Sequence, residues 1–323
     1  MALPKFAFFD GRIVPYSEAK VGLLTHALNY GTGCFAGVRA YWNDAEQELF
    51  VFRPHDHFVR FLESTRLLAM EIPFSAGELT IRLAELLRAE GLQEDCYIRP
   101  LAFLSEETIG VRLHGLKSSV SIVAFPFGKY LDREGGAHLT VSSWRRIDDN
   151  VIPPRGKITG GYANSALAKT DAQNAGFDDA ILLDTQGKVS EATVSNIFLV
   201  RRGEVITPRT TDSVLEGITR RTVVALVERE LGRVVVERTV DRTELFLAEE
   251  VFLAGTGVEI IPVTRIDHRP IGTGRPGPIT AQIRKTFFDV VRGVAPRYRS
   301  WCEPVYSPVP AVAEHNPAST RTR

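Results

Sequence analysis

The chain has 323 residues, 44% of them hydrophobic, roughly two domains' worth and enough for a core and an active-site cleft. Its 39 basic and 39 acidic side chains cancel, which removes the cationic footprint of nucleic-acid binding and favours small-molecule partners. No apolar run approaches the roughly 20 residues of a membrane span, and the opening "MALPKFAFFDGRIVPYSEAK" has neither a charged leader nor a cleavage pattern, so no membrane partner and a cytoplasmic location are expected.

In chain order, "FAFFDGRIVPY" places two short apolar runs around Asp10 and Gly11, which predicts a hairpin. "FRPHDHFVRFLESTRLLAM" then sets Phe58, Phe61, Leu62, Thr65 and Leu68 at helical spacing. "SAGELTIRLAELLRAEGL" repeats the pattern, with Ser75 as a start and Gly91 as a stop. "CYIRPLAFL" and "SVSIVAFPF" read as strands, and "GKYLDREGG" (128–136) as a connector between two parts. Beyond it, "AILLDTQGKVSEATVSNIFLVRRGEVITP" holds four short β runs with turns at 185–187 and 201–203, which predicts a meander. A helix over "GITRRTVVALVERELG", a strand in "RVVVERTV", a short helix started by Asp241 and a buried strand in "VFLAGTG" follow. The end of the chain, "SPVPAVAEHNPASTRTR", is polar and proline-rich, the composition of a disordered tail. There is no internal repeat. Cys34, Cys96 and Cys302 are odd in number and lack a CxxC spacing, so reduced, buried thiols are expected rather than a disulfide framework or a zinc site.

One lysine sits in an odd place. In "VIPPRGKITGGYANS" two prolines and three glycines surround Lys157, so the segment is no ordinary helix and backbone can approach a bound ring there. Taken alone, a lysine is most often a solvated surface amine. It becomes a carbonyl-capturing nucleophile when burial or adjacent cations lower its pKa, and Arg155 is close in sequence.

"GKITGGYANS", "SEATVSNIF", "LEGITRRTV" and "EVFLAGTGVEIIPV", in this order and at these separations, closely resemble the class IV pyridoxal-phosphate aminotransferases, and among them the branched-chain amino acid aminotransferases. The resemblance runs from Phe6 to about Tyr306. It implies an α+β, two-domain, fold-type IV pyridoxal-phosphate enzyme with the active site between domains. A small N-terminal α/β domain (1–127), the connector (128–136), a larger β-rich cofactor domain (137–306) and the tail (307–323) make up the expected layout.

The resemblance further implies that Lys157 carries the internal aldimine with pyridoxal 5′-phosphate and shuttles the proton. Glu191 matches the family partner of the pyridine nitrogen, which must stay protonated for the ring to drain electrons. Arg60, Gly217, Ile218, Thr219 and Thr256 match phosphate contacts, with a helix start offering N–H groups and a favourable dipole. Tyr162 matches a tyrosine bordering the cofactor. By residue type alone, Glu191 is an exposed strand charge, Arg60 a solvated helix face and Tyr162 ordinary aromatic core.

At the substrate end, strand period puts Tyr97 and Arg99 on one face, with Cys96 and Ile98 on the other. The Tyr-x-Arg pair is similar to the branched-chain signature. Tyr30, Phe35 and Gly37 of "NYGTGCFAGVRAY" match pocket positions, and Phe127 and Tyr130 are expected to close the pocket. The resemblance implies apolar walls for leucine, isoleucine or valine, Arg99 for the distal carboxylate of glutamate or 2-oxoglutarate, and the Thr256–Gly257 turn with Tyr97 for the α-carboxylate. Ile109 and Val111 are carried over as apolar contacts to a neighbouring subunit's site, in a homodimer or higher homo-oligomer. Arg112 and His114 depart from the usual loop and read as surface groups. Rival readings on the same fold are D-amino acid aminotransferase, (R)-amine transaminase and aminodeoxychorismate lyase, against which Tyr97, Arg99 and Phe35 argue. A cofactor-binding protein without catalysis is opposed by the intact set Lys157, Glu191, Arg60 and Thr219.

Overall fold

The computed structural model describes residues 3–128 and 135–307. Strands β1 (Phe6–Phe9) and β2 (Arg12–Pro15) form the hairpin expected at Asp10–Gly11, both of which take positive φ (44° and 91°), as a two-residue turn between twisted strands requires. The short α1 (His26–Tyr30) leads into β3 (Gly33–Phe35), β4 (Val38–Asn43) and β5 (Glu48–Phe52). Pro54 occupies the first turn of α2 (Pro54–Leu67), where its missing N–H costs nothing. Helix α3 (Ala76–Glu90) starts as a capping box: Ser75 Oγ accepts from Glu78 N (3.2 Å) and Glu78 Oε2 accepts from Ser75 N (2.8 Å). It stops at Gly91 in the left-handed conformation (φ 70°). The long strands β6 (Cys96–Leu104) and β7 (Ser118–Pro126) follow.

The later elements are β8 (Ala137–Arg145), α4 (Tyr162–Asn174), β9 (Asp179–Leu183), β10 (Val189–Ala192), β11 (Asn196–Arg201), β12 (Glu204–Thr207), α5 (Ile218–Leu231) and β13 (Val235–Glu237). After a 3-10 segment, Arg242–Leu247, come β14 (Glu250–Gly255), β15 (Glu259–Ile266), β16 (Arg269–Pro270), α6 (Pro278–Val291) and β17 (Cys302–Pro304).

Among the described residues these strands form two sheets. One runs β17-β5-β4-β6-β7-β1-β2 with β3 paired to β6; the other runs β10-β9-β8-β15-β14-β11-β12-β13 with β16 paired to β15. Phe58 and Phe61 of α2 and Leu79, Leu83 and Leu86 of α3 bury one face of the first sheet against Phe8, Val38, Ile98 and Val120. A second cluster joins the sheets: Tyr41, Phe50 and Phe52 pack with Phe198 and Phe252 under α5 and α6.

The expected meander over 180–208 is not what forms. Hairpins β9–β10 and β11–β12 are present, but β8, β15 and β14 lie between them in the sheet. Both edges of β11 are already taken, by β12 and by β14 along Asn196–Val200, so β10 has no free ladder to join. Ala192 N donates to Ser195 O (2.8 Å) across the link instead, and that tight turn faces the site. The strand in "RVVVERTV" is only three residues long, and the short helix after Asp241 takes the tighter 3-10 form. Tyr130 and the tail beyond Ser307 lie outside the described residues. No helix among the described residues is long and apolar enough to cross a membrane.

Candidate active site

The prolines and glycines around Lys157 let its segment lie against the strand end at 31–35. Phe35 N donates to Lys157 O (3.0 Å), Lys157 N donates to Ser64 Oγ (3.3 Å), and Thr159 Oγ1 donates to Gly31 O (2.8 Å) while accepting from Gly33 N (3.1 Å). Gly31, at φ 66°, meets Gly160 so closely that a Cβ on it would stand 2.8 Å from the Gly160 Cα. The Lys157 amine enters a cavity of about 560 Å³ between the two sheets, 5.2 Å from the ring centres of both Phe35 and Tyr162. Burial lowers its pKa to about 7; Arg60, Arg99 and Arg146 push the same way, while Glu191 opposes. Arg155, the neighbour in sequence, is not among these cations: it is exposed and pairs with Glu216.

Three groups of side chains surround that amine. The first is anionic. Glu191 is buried, its Oε1 lies 2.8 Å from Arg146 Nη2, and its Oε2 accepts from Asn196 Nδ2 (2.9 Å) and Leu215 N (3.3 Å). Burial pushes this carboxyl up, and Arg146 first, then the Leu215 N–H, Lys157 and Arg60, oppose the shift and favour an anion there. The exposed-charge reading of Glu191 is thereby excluded.

The second group is a cup for an anion. Buried Arg60 donates Nη1 to Glu216 O (3.1 Å), beside the start of α5, and lines the cavity with Gly217, Ile218, Thr219 and Thr256. No side chain caps α5, so its first N–H groups and the positive end of its dipole are available to a ligand. A Cβ on Gly217 would stand 2.1 Å from Asn196 Oδ1, so only glycine fits where this cup meets the Glu191 group.

The third group is an amphiphilic wall. Along β6, Tyr97, Arg99 and Leu101 face the cavity, while Cys96 and Ile98 join the core, as strand period predicts. Arg99 Nη2 donates to Tyr97 Oη (3.1 Å) and the guanidinium lies 4.4 Å from the Phe35 ring, but its buried Nε has no hydrogen-bond partner. Phe125 and Phe127 pack on Tyr97 with ring centres 5.8 and 5.3 Å away. A Cβ on Gly37 would stand 2.1 Å from Tyr97 Oη, so that glycine makes room for the phenol. Gly257 completes the lining.

Tyr30, Ile109 and Val111 are not brought into this cavity. Tyr30 is exposed and its hydroxyl accepts from Gly110 N (3.1 Å), so it holds the 109–111 loop, where Ile109 and Val111 are 69% and 78% exposed. Arg112 and His114 are exposed on the same loop. Among the cavity residues that the sequence reading did not single out, two contact Glu191: Arg146, which only the fold brings there, and Asn196, which lies on the same segment as Glu191. Cys34, Cys96 and Cys302 are buried, which pushes each thiol up to about 12 and leaves it inert.

A partly buried lysine of lowered pKa, a carboxylate paired to an arginine and an uncapped helix start with an arginine are what an aldehyde, a pyridinium nitrogen and a phosphate each require, so the lining fits pyridoxal 5′-phosphate. Residues 33–266 match the family amino-transferase class IV. The probable branched-chain-amino-acid aminotransferase of Aquifex aeolicus is 46% identical over 301 residues, 93% of this chain and 97% of that protein. The branched-chain aminotransferase of Thermoproteus uzoniensis, solved with norvaline, superposes with a TM-score of 0.90 at 43% identity over 94% of this chain and 100% of that one. Another solved branched-chain amino acid aminotransferase, complexed with N-(5′-phosphopyridoxyl)-L-glutamate, gives 0.89 at 38% identity over the same shares. The chain therefore belongs to the class IV aminotransferases and, within them, to the pyridoxal-phosphate-dependent branched-chain-amino-acid aminotransferases.

Proposed function

We propose that the protein moves the amino group of L-leucine, L-isoleucine or L-valine to 2-oxoglutarate, releasing branched 2-oxo acids and L-glutamate. The observation that carries this reading is the wall of Tyr97, Arg99, Phe35, Phe125 and Phe127: apolar area for a branched chain, with one guanidinium whose Nε is still unpartnered. A distal carboxylate satisfies that guanidinium by a charge-assisted bond, and a branched chain packs on the rings. The Thr256–Gly257 turn and Tyr97 take the α-carboxylate. Lys157 Nζ would hold the cofactor's aldehyde, and once freed by substrate it would take the proton from substrate Cα. Glu191 holds the pyridine nitrogen's proton; Arg60, Gly217, Ile218, Thr219 and Thr256 hold the phosphate; Tyr162 borders the ring. The cofactor, when bound, supplies the electron sink for the Cα carbanion.

Exposed Leu23, Leu28, Ile109 and Val111 support a homodimer in which the 109–111 loop reaches the neighbouring site. Tyr130 is proposed to close the same pocket. The division into 1–127 and 137–306 about the 128–136 connector belongs to this reading, with β17 crossing back to the first sheet. The unpaired, buried thiols suit the cytoplasm as its location. The test is a half-reaction panel on the holoenzyme, following the cofactor's visible band with L-leucine, L-glutamate, D-alanine and an (R)-amine. Both L-amino acids should react; reaction confined to D-alanine or the amine overturns the reading.

A further inference from the structure

Arg39 and Glu259 lie outside the cavity lining, yet they connect two of its walls. Arg39, on β4 and 3% exposed, donates Nη2 to the carbonyls of Phe127 (2.9 Å) and Gly128 (3.1 Å). Its Nη1 lies 3.2 Å from Glu259 Oε1 without hydrogen-bond alignment, so the two are held by charge. The guanidinium also lies 5.3 Å from the Tyr41 ring and 5.6 Å from the Phe127 ring. Glu259 opens β15 two residues after Gly257, in the left-handed region (φ 59°). One guanidinium thus grips the end of the Phe127 wall and, through Glu259, the Thr256–Gly257 turn.

A buried ion pair is a poor stabiliser, because desolvation of both charges offsets their attraction. Its use here is geometric. We propose that Arg39 is a positioning residue which, through Glu259, sets the spacing between Phe127 and the Thr256–Gly257 turn, and so fits that end of the pocket to the substrate's α-carboxylate. The inference rests on the substrate reading above.

The test compares Arg39→Met, Glu259→Gln and the double variant as holoenzymes. The readouts are KM and kcat for L-leucine, the dissociation constant of 4-methylpentanoate (leucine without its amine) from the cofactor's spectrum, cofactor affinity and thermal midpoint. Each single variant should raise both the leucine KM and the 4-methylpentanoate dissociation constant about 10- to 100-fold, the scale of an ångström of misplacement. kcat should change less, cofactor affinity should fall much less than the two substrate readouts because Thr256 is one of five proposed phosphate contacts, and the double variant should be no worse than the worse single. Unmoved KM and dissociation constant, or an equal loss of kcat and cofactor affinity alongside a lower midpoint, overturns the proposal. If Arg39→Met does not fold, Glu259→Gln decides alone, since it removes the charge and keeps the side chain's shape. A wild-type protein indifferent to both ligands overturns the substrate reading and this inference with it; wild-type binding with indifferent variants overturns this inference only.

Discussion

Lys157 carries a pH effect whose sign follows from its burial. Its folded pKa of about 7 lies below the ordinary 10.5, so between those values the unfolded chain holds a proton that the folded chain has lost. The cofactor-free protein should therefore gain stability from this group as pH rises from about 7 to 10.5, and show no dependence on it below. The difference in thermal midpoint between wild type and Lys157→Met, both without cofactor, should grow in favour of wild type across that window; a shrinking difference contradicts the burial argument. Arg146→Met leaves Glu191 buried without its cation, so the carboxyl should protonate and stop holding the ring nitrogen's charge. Both half-reactions should slow together, by about 10- to 150-fold for a charged contact of roughly 1.5–3 kcal/mol. Arg99→Leu should behave differently, with a loss of similar size, about 10- to 150-fold, for glutamate and a much smaller one for leucine, read as the ratio of the two rates. Lys157 was legible because its prolines and glycines lie beside it in the chain. Arg146 was not, since neither residue type nor spacing says which cation will converge on Glu191, and the one cation that sequence proximity suggested, Arg155, pairs with Glu216 at the surface.

Elements whose ends are defined locally were readable, and those defined by distant partners were not. The capping box of α3, its Gly91 stop and the Asp10–Gly11 hairpin each form within a few residues of chain. The order of β9 to β12 depends on β14 and β15, which come some fifty residues later, so no local signal could exclude a meander. Helix α6 likewise starts without a side-chain cap from Gly277. Buried Glu250, from β14, caps it at a distance, accepting from Ile279 N (3.0 Å), Thr280 N (2.8 Å) and Thr280 Oγ1 (2.6 Å). Glu250→Ala should strand those donors and cost about 1–3 kcal/mol in urea unfolding. Gly277→Ala should also destabilise, since a Cβ there would stand 2.0 Å from the Glu250 carboxyl carbon.

At the scale of the whole molecule, the exposed apolar side chains Leu23, Leu28, Ile109 and Val111 give the proposed dimer a direct test. Val111→Asp should weaken self-association, measured by sedimentation at stepped concentration, while the thermal midpoint of the monomer stays near wild type because Val111 is 78% exposed. Association unchanged by the charge would place the interface elsewhere. The strand β17 has a bearing on how this molecule is made. It covers the edge of β5, and Glu48 then holds the segment after it by accepting from Val305 N (2.9 Å), Tyr306 N (2.8 Å) and Ser307 N (2.7 Å). Val305 is 257 residues downstream of Glu48, so at about 5–20 residues per second a ribosome leaves that edge uncovered for about 10 to 50 seconds after making it. For that interval the nascent chain presents a bare strand edge and a buried-to-be carboxylate to its surroundings, and the polypeptide becomes safe from edge-to-edge pairing only once β17 has been made and has docked.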